Sequence, residues 1–149
     1  MRLAPRPGMT AAHRIPWADL LVLQELDVQW ERLREKLGLA ATLMDDAHRH
    51  LADDAARARR GQAATESRLE ELAEERRAVQ ARLPSHALEA YQQVRRAVTT
   101  PPWVVLITDR ACAACATPVR HAGAVTGSLR RCAGCSRLLL LPTLSEARG

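Results

Sequence analysis

Four cysteines carry the only obvious chemistry in this chain: Cys112-Ala-Ala-Cys115 and Cys132-Ala-Gly-Cys135, with sixteen residues between the pairs and no cysteine elsewhere. A C-x-x-C turn aims two thiols at one point, and a loop of this length lets the second turn fold back to complete a tetrahedral set. That is the spacing of a zinc ribbon, with Zn–S distances of about 2.3 Å. One structural Zn2+ held by Cys112, Cys115, Cys132 and Cys135 is therefore expected. Two disulfides would need an oxidising compartment, and the opening Met1-Arg-Leu-Ala-Pro-Arg-Pro-Gly8 has no apolar core of a secretory signal. Thioredoxin-like redox chemistry uses a single C-x-x-C at a helix start, and duplication at ribbon spacing argues against it. An iron–sulfur cluster could also use four thiolates, but two separated knuckles with small residues inside them suit zinc better. His121, inside the loop, reads as a solvated residue because four sulfurs already suffice.

A closed four-thiolate zinc has no open coordination position, so it cannot activate water or polarise a substrate. No other catalytic constellation is evident, and the chain is read as non-enzymatic. His48 and His50 sit among Asp45, Asp46, Asp53 and Asp54 on a solvated stretch, His86 reads as a helix-start residue, and no glycine-rich phosphate loop occurs.

The elements that must position the cysteines follow from composition and period. Among 149 residues there are three tryptophans, one tyrosine and no phenylalanine. So poor an aromatic content argues against a large globular core and for long helices packed along a seam. The expected fold is mainly α, an elongated antiparallel helical hairpin (a coiled coil) followed by a small β zinc ribbon. Residues 1–15 lack any hydrophobic period and are expected to be a disordered tail, with Met9 an alternative start. From Pro16 a seam of alternating three and four spacing runs through Leu23, Leu26, Trp30, Leu33, Leu37, Ala40, Met44, Ala47 and Leu51. The hairpin tip is expected at 58–63, around Gly61, and a second stripe follows at Leu69, Leu72, Arg76, Val79 and Leu83. Pro84 starts a third helix over 85–98 with Leu88, Tyr91, Val94 and Val98 on its apolar face. The expected domains are thus the hairpin with its third helix from 84, residues 16–98, then the ribbon, 99–142, then a frayed tail, 143–149. Ribbon strands are expected at 103–107, 118–120, 128–131 and 137–141.

Charge separates these regions. Residues 17–98 carry 13 Lys+Arg against 15 Asp+Glu, whereas residues 99–149 carry six against two, within a net charge of +5. Arg110, Arg120, Arg130, Arg131 and Arg137 make the ribbon the basic part, which fits a polyanionic partner. No run approaches the roughly 20 apolar residues of a membrane span, so a cytoplasmic protein is expected.

A helical hairpin, then Leu83-Pro84 and Tyr91-Gln-Gln-Val-Arg95, then a strand, then C-x-x-C and Cys132-Ala-Gly-Cys135-Ser-Arg137-Leu-Leu139, resembles the bacterial C4-type zinc-ribbon family with an N-terminal coiled coil. Leu23-Gln-Glu-Leu-Asp27 is similar to the family's opening, and the likeness covers about residues 16–142. The resemblance implies a zinc ribbon borne on an antiparallel coiled coil, linked to control of gene expression through nucleic acid or transcription proteins. This hairpin is shorter than is usual in the family, and Ser136 stands where glycine is usual.

Three functional expectations follow. In the first, Arg120, Arg130, Arg131 and Arg137 neutralise phosphates of DNA or RNA while the hairpin engages a protein partner or a second copy of the chain. Trp103 could stack on a base, although a tryptophan opening an apolar strand more often packs inside. In the second, the protein is a coiled-coil adaptor without nucleic-acid binding, docking through Leu139 and Leu141 of a four-leucine run too apolar for a small ribbon to bury alone. In the third, Asp53 and Asp54 near the hairpin tip act as in RNA-polymerase secondary-channel factors.

Overall fold

The computed structural model describes residues 17–47, 52–121, 123–124 and 129–140, with side chains described outside 42–55 and 121–128. Three helices precede five short strands: α1 (Trp17–Ala47), α2 (Ala52–Arg82), α3 (Ser85–Ala97), β1 (Val104–Thr108), β2 (Ala111–Cys112), β3 (Gly123–Ala124), β4 (Leu129–Arg131) and β5 (Leu138–Leu140). The expected tails, Met9, Leu51 and Leu141 lie outside the described residues, as do the side chains of Met44, Ala47, His48, His50, Asp53, Asp54 and His121.

The chain divides into two compact units. The first is Val22–Ala81, most of α1 and α2. Each of these helices has 31 residues, about 46 Å of rise. Leu23, Leu26, Leu72 and Val79 are buried, Trp30, Leu33, Leu37 and Leu69 are half-buried, and Leu39 is exposed. The described positions of the two stripes expected from the spacing are thus buried or half-buried. The expected reversal at 58–63 is not met: these residues lie inside α2, and an added Cβ at Gly61 would meet nothing within 4 Å. Gly61 costs helix propensity of about 1 kcal/mol, which the many Ala, Arg, Glu and Gln positions of α2 readily offset.

Among these leucines sits one charge. Asp27 is 1% exposed and pairs with Arg76 at 2.5 Å, whose side chain is 18% exposed. Arg76 also lies over the Trp30 ring at 4.7 Å, and Arg34 lies over the same ring at 4.6 Å. The indole thus spreads the desolvated guanidinium charge over a π face. The pair explains why an arginine occupies an apolar stripe.

The second unit joins the first turn of α1, Arg82, Leu83, α3 and the ribbon. Pro84 cannot continue a helix; α2 stops at Arg82 and the Pro84 carbonyl accepts the first amides of α3, from Ala87 and Leu88 at 3.0 and 3.1 Å. Ala87, Ala90, Tyr91 and Val94 form the buried face of α3. Alanines let this helix approach closely, and Arg95 and Arg96 in its last turn face the negative end of the helix dipole. Trp103 is 1% exposed: its indole N–H donates to the Val98 carbonyl at 2.9 Å, its ring meets Tyr91 edge-on at 6.4 Å, and Arg95 covers it at 4.7 Å. The tryptophan therefore fastens α3 to the start of β1 and presents no face for a base.

The strands order as β2-β1-β5-β4-β3, with β1 parallel to β5 and all other pairs antiparallel. Residues 118–120, expected as a strand, form an isolated bridge at Pro118 followed by a 3₁₀ turn, Val119–His121. Proline has no N–H to extend a ladder, so pairing stops there. Leu139 packs on one face with Val105, Cys112 and Cys132, while Leu138 and Leu140 take the other face, on the side where α3 approaches β5. All three leucines are buried. Leu138, Leu139 and Leu140 of the run that seemed to require an outside partner are covered by the knuckles and by α3.

Removing one partner of a buried pair strands the other charge. Asp27→Ala should lower unfolding stability by about 3–5 kcal/mol, whereas Asp27→Leu/Arg76→Met should recover most of that loss; urea titrations followed by circular dichroism measure both.

Candidate metal centre

The first knuckle begins on the last residue of β2 and the second directly after β4, and both are closed by the same backbone pattern. In the first, Cys112 ends β2, its N–H donates to the Thr117 carbonyl at 2.9 Å, and the Ala116 N–H returns to the Cys112 carbonyl at 2.8 Å. In the second, the Cys132 N–H donates to the Arg137 carbonyl at 2.9 Å and the Ser136 N–H to the Cys132 carbonyl at 2.9 Å. The residue after each second cysteine must turn the chain back, and it does so in the left-handed region: φ is 61° at Ala116 and 65° at Ser136. Neither is glycine, so both are strained by about 1–2 kcal/mol.

The fold brings the two knuckles together sulfur against sulfur. All four Sγ atoms lie within 4.8 Å of one another. Across the knuckles, Cys112 and Cys135 approach to 3.7 Å and Cys115 and Cys132 to 3.4 Å. A tetrahedron of sulfurs around zinc at about 2.3 Å has edges of about 3.8 Å, so the cage has the right size for that ion. The same separations are far beyond the roughly 2.05 Å of a disulfide, and all four cysteines are free. Cys112 and Cys132 are buried, Cys135 is half-buried and Cys115 is exposed, so one edge of the cage faces solvent.

The four thiols differ electrostatically. Burial pushes Cys112 up to about 12. Cys115 is held down to about 6, first by its contact with the Thr117 hydroxyl, Sγ to Oγ1 at 3.1 Å, and then by the Thr117 amide. A bound divalent cation compensates the thiolate charges and supplies folding energy, because its ligands come from two turns that otherwise have little to hold them together.

Thr117 and Gly134 are site residues that spacing alone did not reveal. A Cβ at Gly134 would stand 2.2 Å from the Thr117 Oγ1 and 3.2 Å from the Cys115 Sγ. The glycine in the second knuckle therefore exists to admit a hydroxyl from the first. A threonine two residues after a C-x-x-C and a glycine inside the other were both visible, but their contact depends on how the knuckles face each other.

The arginines chosen from the sequence are distributed unequally. Arg137 donates from Nε to the Pro102 carbonyl at 2.6 Å and from Nη2 to the Thr100 carbonyl at 3.3 Å. Its guanidinium thus braces the segment leading into β1. Arg131 is half-buried and its Nε reaches the Ser136 carbonyl at 3.4 Å; Arg130 is half-buried and Arg120 exposed. Asp53 and Asp54 lie at the start of α2, and Leu139 is in the interior. No helix among the described residues is long and apolar enough to cross a membrane.

No family model matches the chain, and no curated protein matches it. Among solved structures, the HP0958 protein from Helicobacter pylori is similar over 84% of this chain and 80% of its own, at 13% identity and a TM-score of 0.26. At that score the likeness carries no argument, and the site rests on its own geometry.

Five measurements check the cage. Elemental analysis should find one zinc per chain, and chelation should unfold the ribbon and shift the emission of Trp103. Zinc binding at pH 7 should release protons, at least one from Cys112, whose thiol is raised well above neutrality; affinity should therefore rise with pH, as calorimetry in buffers of different ionisation enthalpy reports. Ser136→Gly should stabilise by about 0.5–1 kcal/mol, the relieved strain exceeding the added chain entropy, while Gly134→Ala should weaken zinc binding by displacing Thr117.

Proposed function

We propose that this chain is a non-enzymatic zinc-ribbon protein that binds nucleic acid, DNA or RNA, as a transcription-associated regulatory factor, with the ribbon as its binding part and the helices as a protein-interaction stalk. The observation that carries this reading is the four-sulfur cage: all its donors are thiols at tetrahedral spacing, and a fully ligated zinc organises a surface without supplying a reaction site.

The surface it organises is basic. Ribbon arginines outnumber acids six to two over 99–149, and Arg120, Arg130 and Arg131 are the phosphate-neutralising residues. Arg137 serves the same surface from beneath by bracing residues 100–102. For the stalk, Asp19 pairs with Arg82 at 3.1 Å and Asp27 with Arg76. Numbers that rise in α1 as they fall in α2 support an antiparallel helical hairpin, and the seam positions support coiled-coil packing.

A second reading, an adaptor that contacts protein alone, is favoured by Leu106. It is 54% exposed on β1 and lines a shallow, mainly apolar concavity with Pro102, Val105, Thr108, Ala113, Ala114 and Arg137. An exposed leucine in apolar company fits a protein contact better than a phosphate.

Fluorescence anisotropy with single- and double-stranded oligonucleotides separates the two. Binding should weaken steeply with salt, by about 0.7–0.9 logarithmic units of affinity per unit of log salt for each phosphate neutralised, and Arg130→Ala/Arg131→Ala should flatten that slope. Salt-insensitive or absent binding defeats the nucleic-acid reading.

A further inference from the structure

We propose that Arg110 and Arg120 form a phosphate-binding cleft between the β1–β2 turn and the 3₁₀ turn. This rests on the nucleic-acid reading above and names the subsite that would make first contact.

The turn is built from two residues. β1 and β2 pair with Thr108 opposite Ala111, leaving Asp109 and Arg110 as the loop, at φ 50° and 61°. A two-residue hairpin loop with both central residues in the left-handed region takes Asn-Gly or Asp-Gly, because the second position penalises a Cβ. Here the aspartate fits that pattern and the arginine does not. Local backbone chemistry favours glycine at 110, so what an arginine brings there is its guanidinium.

That guanidinium is placed for use. Arg110 is exposed, and among the described residues its side chain makes no ion pair or hydrogen bond. Its carbonyl accepts the Val119 amide at 2.9 Å, and Ala111 bridges to Pro118. These bonds tie the hairpin loop to the 3₁₀ turn, so both sides of the cleft are held in register. Asp109, Arg110, Ala111, Pro118, Val119 and Arg120 line it. The uncommitted planar fork of Arg110, with Arg120 on the opposite lip, suits the oxygens of a phosphodiester, and Pro118 with Val119 offers an apolar surface to the adjoining sugar. Asp109 opposes the anion and leaves a net charge of one positive in the cleft. Arg130 and Arg131 elsewhere on the ribbon extend the basic field beyond a single anion, which favours a polyanionic backbone over an isolated carboxylate.

The test uses the full zinc-loaded chain and fluorescein-labelled 20-nucleotide single and double strands, with anisotropy read at 50 and 200 mM salt. Arg110→Gly removes the charge and the strain together. It should raise the thermal unfolding midpoint by a few degrees and yet weaken binding about tenfold, lowering the salt slope by about one. Arg120→Ala should weaken binding similarly, and Asp109→Asn should tighten it. Wild-type affinity in Arg110→Gly, with a loss in Arg130→Ala, overturns this cleft and leaves the nucleic-acid reading standing. Failure of the wild type to bind either strand overturns both, and competition by an acidic peptide but not by oligonucleotide reassigns the cleft to a protein partner.

Discussion

The ribbon depends on four sulfurs being brought within one coordination sphere. Strands of two to five residues cannot enclose a core of their own, and the buried residues on the metal side are few: Val105, Leu139 and two of the cysteines themselves. The ligands are at the same time the hydrophobic core and the electrostatic liability of this face. Without a cation, burial opposes ionisation of Cys112 while Thr117 favours it at Cys115. The first knuckle therefore holds two sulfurs pushed in opposite directions, a mismatch that a divalent ion removes by making both thiolates favourable at once.

Everything on the other face compensates for how little the strands can do. Leu138 and Leu140 turn away from the cage towards α3, whose alanines allow close approach. Trp103 closes the seam with four different interactions: burial, an indole hydrogen bond, an edge contact with Tyr91 and a guanidinium over its ring. In a chain with four aromatic residues, two of them meet here. The ribbon unit is thus a sandwich of metal site, thin sheet and helix, and its arginines divide between those that complete it, such as Arg95 and Arg137, and those that remain at its surface.

The helical unit meets a different problem. Leucines on a regular stripe specify that helices pack but constrain their offset weakly. Asp27 and Arg76 remove that freedom, since a slip by one turn would bury each charge without its partner. The cost of such a slip is several times the gain from any one leucine contact.

How much was legible follows from the range of each interaction. The paired cysteines of the cluster, the helical stripes, the break at Pro84 and the strand from residue 104 are local patterns of period and spacing, and they were readable because each is decided within a few residues. The interhelical break was misplaced because Gly61 was read as a stop, when a lone glycine costs too little to end a helix rich in alanine and arginine. Leu139 was read as a docking residue because the sequence does not say that the closed knuckles cover it, packing it with Val105, Cys112 and Cys132. Arg76 on an apolar stripe did hint at a buried partner, but only proximity identified Asp27. Likewise Gly134 and Thr117 acquire their meaning from a contact across seventeen residues of chain. The sequence by itself determined which atoms could hold a metal and which segments are helical, through short-range stereochemistry. The tertiary structure decided which charges are committed to the fold and which face outward, because that depends on what each side chain meets after the knuckles close.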